Sequence, residues 1–481
     1  MEYDVIIIGA GLGGLTAGAT LARKGRKVLV LEQHDRPGGC ATTFRRREFT
    51  MEVGLHEMDG LHPGDTKTRI FDELGIFDRV TFLELPEFYR FTNERVDLVL
   101  PHDPVRAAAI LKKAFPGEGK GIDSYFHHLL NARKIMVQQR GRPDKSIGEF
   151  LDDIITHDEL KLVLLGNLAY FHDDPYSLSW LYYLTAQGSY YRGRANFIQG
   201  GSQQLSSAFA NIITENGGEV RMNSLVTSIG YRDGVPAGVT YHQVRGKNRK
   251  SHAVSAKEII VNAALPSLAN ELLSSSDGKK LSESIAGNTP GASLLTVYFG
   301  FNKPLRELGN THYSTFVFDP SVRTQKDILE NNHADFGRRS FTLVDYSQLD
   351  AGLAPEGKSV GAVCCVDYPE DWEHLDKEEY QRLKGDVADT FMERCERLIP
   401  GFMDAVEYAE VGTSLTVERF TRNPGGAVYG FAQHPGKPTA YLQALPEHVH
   451  IASAWGKYGG GFSGAILCGF QTALEILRQS K

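Results

Sequence analysis

The sequence predicts an α/β protein that combines a parallel sheet near the N-terminus with a second, discontinuous α+β domain. The β-branched run DVIII (residues 4–8) and the run KVLVLE (27–32) are typical of strands buried on both faces of a parallel sheet. The intervening LTAGATLARKG is compatible with a helix that carries Arg23 and Lys24 in its last turn and ends at Gly25. At 481 residues, the chain is long enough for about two to three domains.

The turn between the first strand and the helix carries a glycine motif. Gly9, Gly11 and Gly14 have the GxGxxG spacing, and Glu32 ends the second strand. In such a βαβ unit the first glycine makes a tight turn, the second lets backbone amides reach a diphosphate, and the third lets the helix pack closely on the strand. The helix N-terminus attracts the phosphates, and the acid binds ribose hydroxyls. The segment therefore predicts a dinucleotide site, because a glycine-rich surface loop would explain neither the flanking strands nor Glu32.

Composition excludes several other classes of protein. The net charge of −7 shows no basic excess, so no nucleic-acid partner is predicted. The acidic start MEYDVIII and the lack of an apolar run of about twenty residues predict neither a secretory signal nor a membrane span, and peripheral membrane contact is left open. Five scattered cysteines without CxxC or metal-ligand spacing predict a reduced, cytoplasmic protein.

The residues after Glu32 narrow the choice of dinucleotide. The continuation QHDRPGGCATTF adds Arg36 and the pair Gly38-Gly39, which gives E-x3-R-x-G-G. This pattern resembles the glutathione-reductase-like FAD superfamily, in its amine-oxidase and phytoene-desaturase branch, and is most similar to carotenoid isomerases, retinol-saturase-like proteins and bacterial phytoene desaturases. The resemblance implies a Rossmann-like FAD-binding domain, in which the second glycine pair lets the backbone pass beside the FAD diphosphate and ribityl chain.

Three later segments fit the same resemblance. Residues 197–229 read as a glycine turn, an amphipathic helix and a strand, which would place the backbone near Val226 against the adenine. Residues 257–267 read as a short strand that ends near the cofactor at Ala263. Residues 448–477 read as a strand, a glycine loop and a helix, whose dipole would favour the anionic reduced flavin ring. Both chain ends would therefore clasp one FAD.

The resemblance implies a full set of cofactor residues and one departure from the family pattern. The family commonly carries an acidic residue in a GD pair ahead of the terminal glycine loop, where this chain has Ser453-Ala454-Trp455. Trp455 can pack on the cofactor or belong to the core. The residues assigned to the cofactor are Gly9, Ala10, Gly11, Leu12, Gly13, Gly14, Glu32, Gln33, Arg36, Gly38, Gly39, Cys40, Gly54, Leu55, His56, Val226, Ala263, Ala454, Trp455, Gly461, Phe462 and Ser463.

The remaining stretches are expected to build the substrate domain. Residues 170–197 contain nine aromatic residues in 28, which can line a tunnel for a flat apolar polyene or form an ordinary buried helix. The runs SLLTVYFGF (293–301) and SVGAVCCVDY (359–368) read as strands that could floor the cavity. The predicted boundaries are 1–80, 196–290 and 412–481 for the FAD-binding domain, and 81–195 and 291–411 for the substrate domain.

Three side chains are candidates for proton transfer. His56 and Glu57 follow Gly54, in the segment that the family brings to the flavin ring, and could exchange a proton at the carbon opposite the hydride. The alternative is that one or both are structural hydrogen-bonding groups. Tyr429, in GAVYGF, is a further candidate neighbour of the ring. The sixteen histidines show no metal-ligand spacing, so no metal is predicted.

The resemblance implies an FAD-dependent oxidoreductase that acts on carbon–carbon double or single bonds of an apolar polyene or isoprenoid-like substrate. Desaturation, saturation and isomerisation all remain open. Only one dinucleotide fingerprint is present, so diffusing NAD(P)H, another carrier or a quinone would exchange electrons with the flavin. Two alternatives are a flavin-dependent reductive cyclase of a polyene polyketide and a non-catalytic isoprenoid-binding protein of the GDP-dissociation-inhibitor type. The oligomeric state is not predicted.

Overall fold

A computed structural model describes residues 2–138, 144–245 and 250–479 and confirms the mixed α/β fold. It contains two seven-stranded sheets and two short two-stranded ribbons. The strands are β1 (Glu2–Ile8), β2 (Val28–Leu31), β3 (Thr43–Arg46), β4 (Phe49–Glu52), β5 (Phe82–Glu84), β6 (Tyr89–Thr92), β7 (Asp97–Leu100), β8 (Asn196–Ile198), β9 (Glu219–Arg221), β10 (Ser224–Arg232), β11 (Val235–Gln243), β12 (Ser251–Val261), β13 (Ser293–Phe301), β14 (Ser314–Val317), β15 (Phe341–Asp345), β16 (Ser359–Asp367), β17 (Val406–Gly412) and β18 (Val449–Ile451).

The helices connect these strands. The predicted first helix begins at Leu12 and ends at Arg23, and Gly25 follows it with a φ of 78°. The helices are α1 (Leu12–Arg23), α2 (Thr66–Leu74), α3 (Pro104–Ala114), α4 (Gly119–Gln138), α5 (Ile147–Ile154), α6 (Asp158–Leu164), α7 (Trp180–Gly193), α8 (Gln203–Glu215), α9 (Leu265–Ser267), α10 (Ser275–Ile285), α11 (Asp327–Asn332), α12 (Lys377–Leu398), α13 (Phe402–Ala405), α14 (Ser414–Thr421) and α15 (Gly461–Gln479).

The first sheet gathers strands from distant parts of the chain. Its parallel part has the order β9-β2-β1-β12-β18, and β10 and β11 extend it as an antiparallel ribbon. The last residues of the five parallel strands are in register: Arg221, Leu31, Ile8, Val261 and Ile451. The carboxyl ends of the strands therefore meet at one edge, which is where open α/β sheets bind their ligands.

Both faces of this sheet are buried, as the β-branched runs predicted. Val5 and Ile7 pack into one hydrophobic cluster, while Ile6 and Ile8 pack into another. This alternation follows from the period of two in a β-strand. The arrangement covers both sides of β1 and leaves its carboxyl end as the functional edge.

The two ends of the chain pack against each other through small residues. A Cβ atom added at Gly13 would lie 2.0 Å from the Ala452 carbonyl oxygen. One added at Gly469 would lie 2.1 Å from the Gly13 carbonyl oxygen, so α1 and α15 are in backbone contact. The requirement for glycine at these positions explains why both termini are rich in small residues.

The second sheet has the order β17-β13-β16-β15-β14-β6-β7. The predicted strands at its centre are confirmed, because β13 and β16 pair directly with Thr296 opposite Cys364. The predicted helical stretch before residue 195 contains α3 to α7. The residue boundaries of the two domains stay a prediction.

Two further properties follow from the described residues. All five cysteines, at positions 40, 364, 365, 395 and 468, are free thiols. Among the helices of the described ranges, none has both the length and the apolar character needed to cross a bilayer.

Candidate functional site

A cavity of about 1810 Å³ runs from the carboxyl edge of the first sheet to the second sheet and α7. Its wall includes Gly9 after β1, Thr296 on β13, Cys364 on β16 and Tyr182 on α7. Pockets for a single small ligand usually measure about 300–1,000 Å³. The cavity is therefore large enough for a dinucleotide and a second ligand side by side.

At the sheet edge the wall is made of exposed backbone. Gly11 precedes α1 without a side-chain cap, and α1 has no acidic residue in its first turn, so its first amides remain available to an anion. Gly38 lies directly beside this loop: its N–H donates to the Ala10 carbonyl over 2.7 Å, and it forms a parallel bridge with Gly11. The two glycine motifs thus form one cradle, which fits the diphosphate of FAD.

Glu32 organises the cradle through its carboxylate. Its Oε2 accepts from the Ala10 N–H over 2.7 Å, and its Oε1 accepts from the His34 N–H over 2.9 Å. A carboxylate offers about four acceptor sites, so each oxygen can still receive a ribose hydroxyl. Arg36 donates to the Thr43 carbonyl over 2.8 Å and holds the following strand in place.

The C-terminal glycine loop closes the opposite side. Gly461 begins α15 with a φ of 73°, and a Cβ added at Gly460 would lie 2.4 Å from the Cα of Tyr429. Ser453 begins the stretch in which the resemblance implies an acid, and its hydroxyl donates to the Ala263 carbonyl over 3.1 Å. Trp455 lies in the cavity wall, with its indole buried edge-on against a phenyl ring and its N–H bonded to Asn423.

Most of the predicted site residues lie in the wall of this one cavity. The four exceptions are Ala10, Gly13, Gly14 and Leu55. They lie behind the wall of the cavity and determine the path of the backbone that forms it. The predicted residues in the wall are Gly9, Gly11, Leu12, Glu32, Gln33, Arg36, Gly38, Gly39, Cys40, Gly54, His56, Glu57, Val226, Ala263, Tyr429, Ala454, Trp455, Gly461, Phe462 and Ser463.

The three candidates for proton transfer are all uncharged near neutral pH, but their pKa values and hydrogen-bond partners differ. His56 Nδ1 lies 2.8 Å from the Tyr170 hydroxyl, and burial lowers the pKa of His56 to about 4, so its ring is neutral. Both carboxyl oxygens of Glu57 are buried without a hydrogen-bond partner. Burial, with the nearby charge of Asp59, raises the pKa of Glu57 to about 8. Burial also raises the pKa of Tyr429, so its hydroxyl keeps its proton.

Helix α7 belongs to the aromatic stretch 170–197, for which both a tunnel wall and a buried core helix were proposed. Its half-buried face, with Tyr182, Thr185, Ala186 and Ser189, lies in the cavity wall at helical spacing. Its other face is ordinary core, made of Tyr183, Leu184, Gln187 and Tyr191. One face of α7 therefore lines the cavity and the opposite face is core, and the use of the cavity as a polyene tunnel stays a prediction.

The sequence profile of the flavin containing amine oxidoreductase family matches residues 12–477. The chain belongs to this family. It is 28% identical over 479 residues to prolycopene isomerase 2, chloroplastic, of an Oncidium hybrid cultivar, across 92% of this chain and 78% of the relative. It is 24% identical over 531 residues to the all-trans-retinol 13,14-reductase of Danio rerio, across 97% of this chain and 85% of the relative.

The solved structures agree with this assignment at the level of fold. Cyclohexylamine oxidase from Brevibacterium oxydans IH-35A superposes with a TM-score of 0.67 at 18% identity, over 100% of each chain. The family resemblance drawn from the sequence is confirmed, and the protein is an FAD-dependent oxidoreductase. In the part of this flavin oxidoreductase that the structure describes, no group of three or more His, Cys, Asp or Glu side chains could hold a metal ion.

Two charged residues of this flavin oxidoreductase escaped the sequence analysis. Asp59 and Lys67 lie in the cavity wall, and the Lys67 side chain is only 1% exposed. Lys67 falls on the same helical stripe of α2 as Ile70, Phe71 and Leu74, all of them buried. That periodicity was the available signal, because a lysine on the apolar face of a short helix must find a charged or polar partner.

Proposed function

We propose that this enzyme acts on carbon–carbon bonds of an apolar polyene or isoprenoid-like substrate. The observation that carries the proposal is the continuity of the cavity, which joins the glycine cradle to a chamber lined by aromatic side chains. Tyr170, Phe171, Tyr182, Tyr190 and Tyr429 all lie in its wall. A flat conjugated chain is complementary to such a surface, since apolar burial and aromatic packing both favour its binding.

In this chamber the protein supplies a surface that fits the substrate and excludes water, and a side chain that can carry a proton. Bound FAD would supply the donor or acceptor of a hydride. Glu57 is the best placed of the three candidates to carry the proton, because its carboxyl group is neutral near pH 7 and is bonded to no other group. Saturation adds one hydride and one proton across a double bond, desaturation removes both, and isomerisation adds and then removes them.

The names of the relatives support the substrate class and leave the direction open. One relative is a prolycopene isomerase and the other an all-trans-retinol 13,14-reductase, so both are named for polyene chemistry. The chain has one dinucleotide fingerprint, at residues 4–32. We propose that NAD(P)H or another diffusing carrier delivers the electrons when reduction is required.

Anaerobic photoreduction tests the proposal. The purified protein should be yellow, and light should bleach its flavin absorption. Addition of polyenes of graded length should then restore the oxidised spectrum for one chain length or conjugation pattern. A flavin that no polyene reoxidises, and that transfers no deuterium to or from any polyene, would contradict the proposal. A colourless protein that refuses FAD but retains lipid would support the non-catalytic binder instead.

A substitution in the chamber should separate substrate binding from flavin binding. Ala186→Phe places a ring in the half-buried face of α7, so it should weaken the binding of a long polyene about tenfold, or by about 1.4 kcal/mol. The flavin content should stay unchanged. Exposed Arg192, near the end of the same helix, offers a control, since Arg192→Ala should leave both quantities unchanged. Equal losses of polyene affinity in the two variants would refute the placement of the chamber.

A further inference from the structure

The carboxyl group of Glu57 lies in an unusual environment. Met58 forms a β-bridge with Asn196, with N–H to carbonyl distances of 2.8 and 2.9 Å, so the segment around it is extended. In an extended chain the side chains of residues two apart point to the same side, which places Glu57 and Asp59 together. Met58 points away from them and is only 1% exposed.

Asp59 is held by the side chains of Lys67, Ser189 and Ser463. The Ser463 hydroxyl donates to its Oδ1, and the Lys67 ammonium donates to its backbone carbonyl and lies 3.5 Å from Oδ1. Lys67 also donates to Ser463 over 2.8 Å. Burial alone would raise the pKa of Asp59, but Lys67 and the hydroxyls of Ser189 and Ser463 lower it, so Asp59 is an anion.

The other groups around Glu57 bring no positive charge to it. His56 is neutral, and the five tyrosines near Glu57 keep their protons because burial raises the pKa of each. Lys67 is already shared between Asp59 and Asp65, which lies 3.7 Å from it. In the described part of the chain, the titratable groups that interact electrostatically with Glu57 are Asp59, Tyr89, Tyr170, Tyr190, Tyr313 and Tyr429.

We infer that Asp59, anchored by Lys67 and Ser463, is a positioning residue that adds to burial in keeping Glu57 protonated and available as the proton donor of the chamber. A fixed negative charge beside a second carboxyl group makes its ionisation unfavourable, and the two carboxyl groups then take different roles. Asp59 stays charged because it has a cation and two hydroxyls, whereas Glu57 has no hydrogen-bond partner within the described ranges. This inference rests on the proposed function, in which Glu57 transfers the proton.

The alternative is that the cluster only fastens α2 to α15. Lys67 links the two helices through Ser463, and such a link would stabilise the fold whatever its effect on Glu57. Asp65 provides a control that distinguishes these two roles. It is a second carboxylate beside Lys67, and it caps α2 by accepting from the Thr68 N–H. Asp65→Asn removes the same charge from the same lysine and can still cap the helix.

Infrared titration of the FAD-loaded protein tests the inference without any substrate. The carbonyl band of a protonated carboxyl group, taken as wild type minus Glu57→Gln, should be present at neutral pH and disappear as the pH rises through about 8. The subtraction removes other buried acids such as Glu52. In Asp59→Asn the band should disappear at a lower pH, because the repelling charge is gone. In Asp65→Asn the midpoint should not move.

Each outcome distinguishes a positioning role of Asp59 from a purely structural role. An unchanged midpoint in Asp59→Asn, or an equal shift in Asp65→Asn, would leave the cluster with a structural role only. If Asp59→Asn does not fold, Asp59→Ser also removes the charge and should show the same lowered midpoint, and a wild-type protein with no Glu57 band at neutral pH would overturn the inference in either case. An enzyme that is inactive on every polyene can still pass this titration, so the two proposals fail separately.

Discussion

Glu57→Gln is expected to lower turnover about a hundredfold or more, while FAD content and flavin reduction by dithionite stay unchanged. Glutamine keeps the size of the side chain but cannot transfer a proton. The loss should be large because the carboxyl group is buried and has no hydrogen-bond partner among the residues that the structure describes. Single-turnover kinetics with photoreduced flavin would measure the step directly.

The pH dependence of the same step should reveal the direction of the reaction. If Glu57 donates the proton, as in saturation, the rate should fall as the pH rises through about 8. If it accepts the proton, as in desaturation, the rate should rise as the pH rises through about 8.

The raised pKa of Glu57 also predicts that the stability of the fold depends on pH. The contribution of Glu57 is complete below its ordinary pKa of 4.5 and is lost as the pH rises through about 8, and Glu57→Gln should remove this dependence.

His56 provides the matched control for this prediction. Burial keeps its ring neutral, and its Nδ1 is engaged with the Tyr170 hydroxyl. His56→Asn should therefore cost much less turnover than Glu57→Gln and should keep the pH inflection near 8. A larger loss in the histidine variant, together with an unchanged inflection in Glu57→Gln, would reassign the proton to His56.

Gly13→Val is expected to destroy flavin retention. A Cβ atom at this position would lie 2.0 Å from the Ala452 carbonyl oxygen, and backbone cannot move aside as a flexible side chain can. Overpacking of this kind costs about 3 kcal/mol, and α1 would have to separate from the strand that leads to α15. We expect a lower melting temperature and at least about a tenfold loss of bound FAD, read from the absorbance ratio of flavin to protein.

Gly385 offers the matched glycine control. It lies exposed on α12, and a Cβ atom there would meet nothing within 4 Å. Gly385→Ala should stabilise the protein by about 0.5–1 kcal/mol and leave FAD content unchanged, since alanine favours the helix. If Gly13→Val retained flavin as well as this control does, the contact between the two chain ends would not be needed to hold the cofactor.

The parts of the fold that could be predicted were those encoded in short stretches. β1, α1 and β2 follow one another within 31 residues, and their glycine spacing has a local physical reason at each position. Glu32 was found in the same way, because the end of a buried strand is a defined place. Its bonds to two backbone amides were not predictable, since they depend on how the next turn folds.

The anchored charges could not be predicted because their partners are remote in sequence. Lys67 reaches Ser463 across 396 positions, and nothing near either residue indicates the other. The sequence also could not show that Glu57 has no hydrogen-bond partner among the described residues, because that depends on the side chains of every element packed around it. The interpretation of Trp455 remained open for the same reason, and its contacts with Phe431 and Asn423 show how the indole packs.

The electron density of FAD-loaded protein with a bound polyene tests the central claim most directly. The account predicts one FAD, with its diphosphate between Gly11 and Gly38 and its flavin ring between Gly54 and Gly461. The polyene should lie against the cavity-facing side of α7, beside Tyr182 and Ala186, with a carbon atom close to Glu57. An FAD bound elsewhere, or a polyene on the outer surface with the chamber filled by side chains, would contradict the account.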